Sequence, residues 1–281
     1  MVLAEDCEIR TSYYGGGVVA YAQESEIVSC ENRASVSFEG PAGYVGGIAG
    51  YVVSTSSIDR CENLGIVTGT VQPSDNYASC LVYAGGIAGV NQESAIINSS
   101  NHAVVAVEAL PEYDSYAGGI VGYNSGSSTF IANCYNAAGV QLSGSGFAGG
   151  ILSYTDNADI RVANCYNIGT VSGVPGKSYP VVPILSADSE DCYYLMNCVE
   201  GEGSYAGTAL TVDYMKSTAF AARLNDWSKT NNSSETGRQT LYWKVEDAEN
   251  DGYPVFTDQD PGYTGVESVV SGVRIYPTTV S

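Results

Sequence analysis

The fold is decided by the stretch Tyr116-Ala117-Gly118-Gly119-Ile120-Val121-Gly122-Tyr123, because close copies of it recur along the chain. The copies begin at Tyr14, Tyr44, Tyr83 and Phe147, and a sixth, proline-bearing copy occupies residues 179–185. The first glycines of the Gly-Gly pairs are Gly16, Gly46, Gly85, Gly118 and Gly149, at intervals of 30, 39, 33 and 31 residues. Self-similarity at this period is typical of repeat architectures.

A second motif recurs in step with the first. It appears as Ser29-Cys30-Glu31-Asn32, Arg60-Cys61-Glu62-Asn63, Asn98-Ser99-Ser100-Asn101, Asn133-Cys134-Tyr135-Asn136, Asn164-Cys165-Tyr166-Asn167 and Asp191-Cys192-Tyr193-Tyr194. Apolar residues alternate with small or polar ones in each unit, which indicates strands. Each unit therefore predicts three short strands and one coil of a three-sided parallel β-helix. Coils must stack to bury their inner faces. About six coils, at the inter-strand spacing of ~4.8 Å, give a rod of roughly 30 Å.

The repeat predicts columns of equivalent residues along the rod. The inward columns are Ile48, Ile87, Ile120 and Ile151, and Cys30, Cys61, Cys134, Cys165 and Cys192. A turn column contains Asn32, Asn63, Asn101, Asn136 and Asn167, whose amides can bond from coil to coil. The Gly-Gly pairs are expected where φ is positive or where no Cβ fits between coils. Residues 71–80 and 109–115 are predicted to be neighbouring loops that shape a surface.

The composition changes after residue 207. A helix is predicted over 212–225, followed by a strand at 240–245 and, at 252–256, a turn that leads into another strand. We therefore divide the chain into a solenoid (1–207), a helix-plus-strand capping unit (208–262) and a tail or linker (263–281). The capping unit is expected to cover the open end of the solenoid, since exposed strand edges must be protected.

The charge balance excludes several classes of partner. The 281 residues include 31 acids and 11 bases, a net charge of −20. Such a chain has no basic surface for nucleic acid or an anionic membrane, and no apolar run reaches the ~18 residues of a membrane span. Residues 1–12 lack the pattern of a signal peptide. We expect a monomer and a fragment of a longer precursor.

These motifs resemble the GLUG repeats of bacterial surface and secreted proteins. The resemblance rests on the repeated Tyr-Ala-Gly-Gly-Ile stretch, on Asn-Cys-Tyr-Asn, and on the trailing Met215-Lys216, Phe220, Leu224-Asn225, Trp243 and Gly252-Tyr253-Pro254. It covers residues 14–256. Ser99, Val90 and the prolines of the sixth unit depart from the pattern. The resemblance implies a β-solenoid in an extracellular or cell-surface, adhesin-like protein, and it implies no catalytic residues.

The eight cysteines and the single histidine point to no catalytic or metal site. The repeat cysteines point inward in one column, which favours buried free thiols over disulfides. Cys192 with Cys198, or a partner for Cys80 or Cys7, is the exception to consider. His102 follows a predicted corner, and no nucleophile is tied to it by a motif, so Ser-His-Asp chemistry is unsupported.

One acidic segment approximates a calcium loop. Asp247, Glu249, Asp251 and Asp258 fall near the ligand positions of such a loop. The last position is Asp rather than a bidentate Glu, and Pro254 interrupts the segment. A solvated acidic turn is the competing interpretation, and no other cofactor is predicted.

Two outward columns are candidates for function. The alternative interpretation is a polysaccharide lyase or hydrolase. Glu31 and Glu62 are one coil apart and could act as the carboxylate pair of a hydrolase, whereas a lyase needs a cationic base. The preferred candidates are tyrosines. Tyr135, Tyr166 and Tyr193 are predicted to stack on one outer face, with Tyr21, Tyr51, Tyr123 and Tyr154 on another and Tyr77 and Tyr113 on the loops. We therefore predict a structural or adhesive module that binds glycan or host protein through tyrosines.

Overall fold

Short parallel strands wind into a β-solenoid of about six coils. The structure, a computed structural model, describes residues 7–76, 79–126, 128–157, 160–183, 188–200, 205–232 and 239–263. Each strand pairs in parallel with the equivalent strand of the next coil, so that five ladders run along the rod. We number the ladders first to fifth in the order in which a coil visits them. The predicted parallel β-helix is confirmed.

The strands of each coil are as follows. Coil 1 contains β1 (Glu8–Thr11), β2 (Tyr14–Gly16), β3 (Val19–Gln23), β4 (Glu26–Val28) and β5 (Glu31–Asn32). Coil 2 contains β6 (Ser35–Gly40), β7 (Ala42–Gly46), β8 (Ala49–Val53), β9 (Ser57–Asp59) and β10 (Glu62–Asn63). Coil 3 contains β11 (Val67–Val71), β12 (Leu81–Gly85), β13 (Ala88–Gln92), β14 (Ala95–Ile97) and β15 (Ser100–Asn101). Coil 4 contains β16 (Val105–Glu108), β17 (Ser115–Gly118), β18 (Val121–Ser125), β19 (Phe130–Ala132) and β20 (Tyr135–Asn136).

The remaining coils follow the same order. Coil 5 contains β21 (Val140–Ser143), β22 (Gly146–Gly149), β23 (Leu152–Thr155), β24 (Arg161–Ala163) and β25 (Tyr166–Asn167). Coil 6 contains β26 (Val171–Ser172), β27 (Ser178–Tyr179), β28 (Asp188–Glu190) and β29 (Tyr193–Leu195). After it, β30 (Thr208–Leu210) pairs with β29 and extends the fifth ladder beyond the predicted boundary at residue 207.

Coils 1 to 5 each contain five strands, whereas the sequence predicts three per coil. The difference arises at corners that look continuous in the sequence. Asn98, Asn133 and Asn164 have φ of 49°, 53° and 50°, and each separates a fourth-ladder strand from a fifth-ladder strand. Asparagine tolerates this left-handed conformation better than most residues. The alternating pattern continues through the bend, so periodicity alone does not reveal it.

The predicted inward columns are confirmed. Ile48, Ile87, Ile120 and Ile151 are fully buried, and the amide of each of them bonds to a carbonyl of the following coil. They belong to a core between the third, fourth and fifth ladders, which also contains Cys61, Cys134, Cys165 and Cys192. A second core lies between the first and second ladders and is built largely from valines. Each coil therefore encloses two adjoining cores.

The Gly-Gly pairs lie where adjacent coils approach too closely for a side chain. A Cβ on Gly47 would lie 2.2 Å from the carbonyl oxygen of Gly86 and 2.2 Å from the amide carbon of Asn63. The sequence predicts either a positive φ or a lack of room for a Cβ at these glycines. At this pair the reason is the lack of room.

The asparagine ladder is the main polar feature of the interior. Asn32, Asn63, Asn101, Asn136 and Asn167 are fully buried. The Nδ2 of each of the first four donates to the Oδ1 of the next at 2.8 Å. Each of the five Nδ2 atoms also donates to the carbonyl oxygen two residues later, as in Asn101 to Ala103 at 2.8 Å. Buried amides with satisfied hydrogen bonds stabilise one register of stacking.

The segment after β30 packs along the flank of the rod. It contains α1 (Val212–Met215), α2 (Thr218–Asn231), β31 (Tyr242–Lys244), a short 3₁₀ turn (Asn250–Gly252) and β32 (Val255–Thr257), which pairs antiparallel with β31. We call residues 212–257 the flanking unit. Thr211 and Ser217 cap the two helices. The unit covers outward side chains of coils 3 to 6, whereas the sequence predicts a cap over the open end.

Two types of contact hold the flanking unit to the rod. Apolar side chains, including Met215, Phe220, Leu224 and Trp243, form a third core with outward tyrosines of the fifth ladder. Beside it, Asn98, Asn133 and Asn164 bond both to one another and to the unit. The Oδ1 of Asn133 accepts from the indole Nε1 of Trp243 at 2.8 Å, and the Oδ1 of Asn98 accepts from the amide of Leu241 at 2.9 Å.

Candidate functional site

The second ladder carries one aromatic residue per coil on its outer face. Its strands place Tyr14, Tyr44, Tyr83, Tyr116 and Phe147 in register. Neighbouring ring centroids are 5.0 to 5.9 Å apart and the ring planes are within 24° of parallel. These residues begin the five repeats of the Tyr-Ala-Gly-Gly-Ile motif, so the motif forms both the glycine corner and an outer column of rings.

The third ladder carries a second column beside the first. Tyr21 stacks on Tyr51 at 5.6 Å, and Tyr123 stacks on Tyr154 at 6.1 Å. In coil 3 the column is interrupted by the buried Val90. This column agrees with the prediction for Tyr21, Tyr51, Tyr123 and Tyr154.

The two columns contact each other along the rod. Tyr44 meets Tyr51 edge to face at 5.2 Å, Tyr83 meets Tyr123 at 4.8 Å, and Phe147 meets Tyr154 at 4.9 Å. We call the combined surface the aromatic ribbon: Tyr14, Tyr21, Tyr44, Tyr51, Tyr83, Tyr116, Tyr123, Phe147 and Tyr154. It spans coils 1 to 5. The second-ladder half is not predicted from the sequence, because those residues are adjacent to the glycines and share their repeat motif.

The ribbon is exposed through ring edges rather than ring faces. Its rings are half-buried, apart from Tyr21, which is 44% exposed. Stacked neighbours occupy most ring faces. Burial raises the pKa of Tyr14 to about 12 and raises the pKa of Tyr44, Tyr83 and Tyr116 as well, so the hydroxyls remain protonated at neutral pH. The ribbon therefore presents an apolar surface with neutral hydroxyl groups.

Charged groups border the ribbon towards coil 6. The ammonium of Lys177 lies 4.7 Å from the centre of the Phe147 ring and 3.1 Å from the carboxylate of Asp114. Asp114 also accepts a hydrogen bond from the hydroxyl of Ser145 at 2.5 Å. This bond, together with the bond from Lys177 and its positive charge, lowers the pKa of Asp114. The loop at 109–115 thus lies beside the ribbon, at the corner between β16 and β17. That it shapes a surface together with residues 71–80 stays a prediction.

The tyrosines that the sequence analysis preferred are in different environments. Tyr135 stacks on Tyr166, and Tyr193 follows in register on the fifth ladder. The prediction of an outer strip is wrong, because the flanking unit buries all three. Tyr166, with no exposed surface, donates through its hydroxyl to the carbonyl of Pro254. Tyr113 is half-buried against the second core. Tyr77 lies outside the described residues.

The four carboxylates of the predicted calcium loop do not converge. Glu249 is 3.5 Å from the ammonium of Lys244, Asp251 is 2.9 Å from that of Lys216, and Asp258 is 3.7 Å from the guanidinium of Arg60. Within the described ranges, no three His, Cys, Asp or Glu side chains are arranged to hold a metal ion. Asp247, like the other three, remains a calcium ligand only as a prediction.

All eight cysteines are free thiols in the structure, including Cys192 and Cys198. Burial raises the pKa of Cys61 to about 12 and that of Cys198 to about 11, and it raises those of Cys165 and Cys192 as well. Thiols held in this protonated form are poor nucleophiles. The prediction of a buried thiol column is confirmed from Cys61 onwards, while Cys30 in the first coil is half-buried.

Comparison with known proteins supports the fold alone. The chain matches no family model, and no curated protein matches it. A solved structure described as a "putative immunoglobulin A1 protease from Bacteroides ovatus" is similar, with 22% sequence identity and a TM-score of 0.53 over 84% of this chain and 75% of that one. At this identity the likeness shows a shared β-solenoid architecture. Among the described residues, no helix is both long and apolar enough to cross a membrane.

Proposed function

We propose that this chain is an adhesion module of a bacterial surface protein of the GLUG-repeat kind, and that it docks a host surface protein on its aromatic ribbon. The observation that carries the proposal is the ribbon itself: nine half-buried or exposed rings in contact from coil 1 to coil 5, bordered by Tyr13 at one end and Lys177 at the other. Contiguous apolar surfaces of this kind mark interaction sites, and tyrosine is enriched in protein interfaces.

The geometry of the rings favours a protein partner over a glycan. Sugars bind aromatic side chains through ring faces, but most ribbon faces are occupied by neighbouring rings. Ring edges and hydroxyls suit the mixed apolar and polar surface of a protein. The chain provides an internal example, since the flanking unit covers the tyrosines of the fifth ladder with its own apolar side chains.

Cell binding tests this proposal. Fluorescently labelled protein is expected to bind cultured epithelial cells, and the double variant Tyr83→Ser/Tyr116→Ser is expected to bind at least tenfold more weakly, since interface tyrosines commonly contribute more than ~1 kcal/mol each. Tyr205→Ser/Tyr242→Ser is the matched control, because it removes two half-buried tyrosines that lie outside the ribbon. Circular dichroism verifies that both variants remain folded.

Enzymatic pretreatment of the cells identifies the class of ligand. Protease treatment should abolish binding, and glycosidase treatment should leave it intact. Binding that survives protease but not glycosidase would replace the protein partner with a glycan. Equal binding by the double variant and the native chain would remove the ribbon from the proposal, and the absence of any cell binding would contradict adhesion itself.

A further inference from the structure

A cleft of about 490 Å³ lies between the fifth ladder and the flanking unit. Its solenoid wall includes Glu62, Ser100, His102 and Tyr135, and its opposite wall includes Glu249 and Phe256. Parallel pairing aligns Glu62 with Ser100 and Ser100 with Tyr135, so three successive coils present a carboxylate, a hydroxyl and a phenol in one row. The volume is within the range of small-molecule sites and leaves room for a side chain or a sugar ring.

One ring nitrogen in this cleft lies within hydrogen-bonding distance of two partners. The Nε2 of His102 is 3.0 Å from the hydroxyl of Tyr135 and 3.2 Å from the Oε1 of Glu62. A neutral imidazole nitrogen either donates one hydrogen bond or accepts one. It therefore serves Tyr135 or Glu62 at one time. The hydroxyl of Ser100 also bonds to that of Tyr135, so the Glu62 carboxylate, with two acceptor oxygens, is the group that can take a further donor.

The electrostatics of the cleft are dominated by carboxylates. Glu62 pairs in register with Glu31 of the preceding coil, and Glu249 faces it from the flanking unit. Burial and the charges of Glu31 and Glu249 raise the pKa of Glu62, while Arg33 opposes them. A positive ligand would relieve this repulsion.

Three bases lie near the cleft, and each contacts a carboxylate other than Glu62; Arg60 itself lines the cleft, and its Nε has no hydrogen-bond partner among the described residues. Arg33 bonds to Glu31, Lys244 bonds to Glu246 and lies 3.5 Å from Glu249, and Arg60 lies 3.7 Å from Asp258. His102 adds no charge at neutral pH, since burial lowers its pKa to about 4. Glu62 thus faces the cleft with a neutral histidine as its neighbour. Phe256 and the 97%-buried Tyr135, 5.2 Å apart, form the aromatic part of the wall.

We propose that this cleft binds a primary ammonium group, with the Glu62 carboxylate as its counter-ion and the Phe256 ring beside the ligand's carbon atoms. An ammonium group has three donors and can satisfy Glu62 and Ser100 together. An aromatic ring beside the cation adds a cation–π interaction. Two sources carry this group, a lysine side chain and an amino sugar. The site is separate from the aromatic ribbon and does not depend on the proposed adhesion.

The single histidine of the chain provides a specific reporter. In a proton NMR titration, Nα-acetyl-lysine methylamide is expected to shift the His102 ring signal saturably at millimolar concentration, about −4 kcal/mol of binding free energy. The norleucine analogue keeps the carbon stem but lacks the charge, and it should bind at least tenfold more weakly. Glucosamine against glucose tests the second source in the same way.

Variants assign the effect to the carboxylate. Glu62→Gln is expected to weaken lysine-amide binding about tenfold, and Glu62→Asp should retain part of it. Glu39→Gln is the matched control, because it removes the same charge from an exposed position on the first ladder, and it should change nothing. Unchanged thermal unfolding verifies the fold of each variant. Equal binding of the lysine and norleucine amides, equal binding of glucose and glucosamine, or full binding by Glu62→Gln would overturn the proposal.

Discussion

Two sets of stacked tyrosines in this molecule have the same internal geometry and different surroundings. Tyr135 and Tyr166 on the fifth ladder stack at 5.0 Å with ring planes 9° apart, and Tyr83 and Tyr116 on the second ladder stack at 5.0 Å with planes 8° apart. The first pair is buried under the flanking unit and the second is half-exposed. Stacking is therefore a property of the solenoid wall, and covering by another segment decides whether a column becomes core or surface.

The tyrosines of the fifth ladder, which the flanking unit covers, should contribute far more to the free energy of unfolding than those of the ribbon. Tyr166→Ala is expected to lower the free energy of unfolding by about 4 kcal/mol, because it leaves a cavity beside Phe220 and Trp243 and removes the partner of the Pro254 carbonyl. Denaturant unfolding at equilibrium measures the difference. A loss as small as that of a ribbon variant would show that the flanking unit packs loosely.

The polar attachment of the flanking unit should be nearly as important. Asn133→Ala removes hydrogen bonds to Asn98, Asn164, Leu241 and Trp243. It also places alanine at φ 53°. We expect a loss of about 3 kcal/mol in unfolding free energy. The control is Asn197→Ala, at an exposed residue with φ 65°, which isolates the cost of the backbone conformation. Similar losses in both variants would contradict a role for the side-chain bonds.

The stability of the protein should also depend on pH through His102, which lies in the cleft beside the flanking unit. Burial lowers the pKa of His102 from 6.5 to about 4, although Glu62 lies 3.2 Å away and favours the charged form. The unfolded chain therefore binds more protons between these pH values, and stability falls as the pH drops from 6.5 to 4, by at most about 3 kcal/mol. Glu62 opposes this trend, since its own pKa is raised.

The pH effect of His102 is measured as a difference. Unfolding free energies of the native chain and of His102→Gln are compared from pH 7 to pH 4, where glutamine retains an amide near the position of Nε2. The native chain should lose more stability across this range. Parallel profiles would mean that the imidazole is not held neutral by the fold.

The smallest effect is expected in the ribbon. Tyr83→Ala should cost about 1 kcal/mol or less, the magnitude of a cross-strand aromatic contact on an exposed face. The same denaturant measurement applies. A loss comparable to that of Tyr166→Ala would indicate that the ribbon is primarily structural, and it would weaken the case for a docking surface.

The repeat period is sufficient to predict the rod but not which column of tyrosines is exposed. Ile48, Asn63 and Cys134 occupy the predicted columns, because residues separated by one period must lie above one another in a stacked coil. Tyr135 and Tyr83 are indistinguishable by that argument, since both recur at the period and both point outward. Their exposure depends on where residues 212–257 fold back, and this is determined by contacts such as Trp243 with Asn133 that no local pattern reveals.

The five strands per coil were missed for a related reason. Asn98 and Asn133 continue the alternating pattern while their positive φ turns the chain, so a corner resembles the middle of a strand. The cleft at His102 was also missed, because two walls from distant parts of the sequence form it. Its only local indication was the single histidine next to the asparagine ladder.

The flanking unit has a mechanical consequence. It is fastened at Asn98 in coil 3, Asn133 in coil 4, Asn164 in coil 5 and Tyr193 in coil 6, where Arg223 bonds to the tyrosine hydroxyl at 2.7 Å. Under tension between the two ends of the rod, coils 1 and 2 can peel away one ladder contact at a time. The following coils are clamped together and must yield as a block. The rod should therefore extend gradually from its N-terminal end at low force. Further extension, into the clamped coils, should require a higher force.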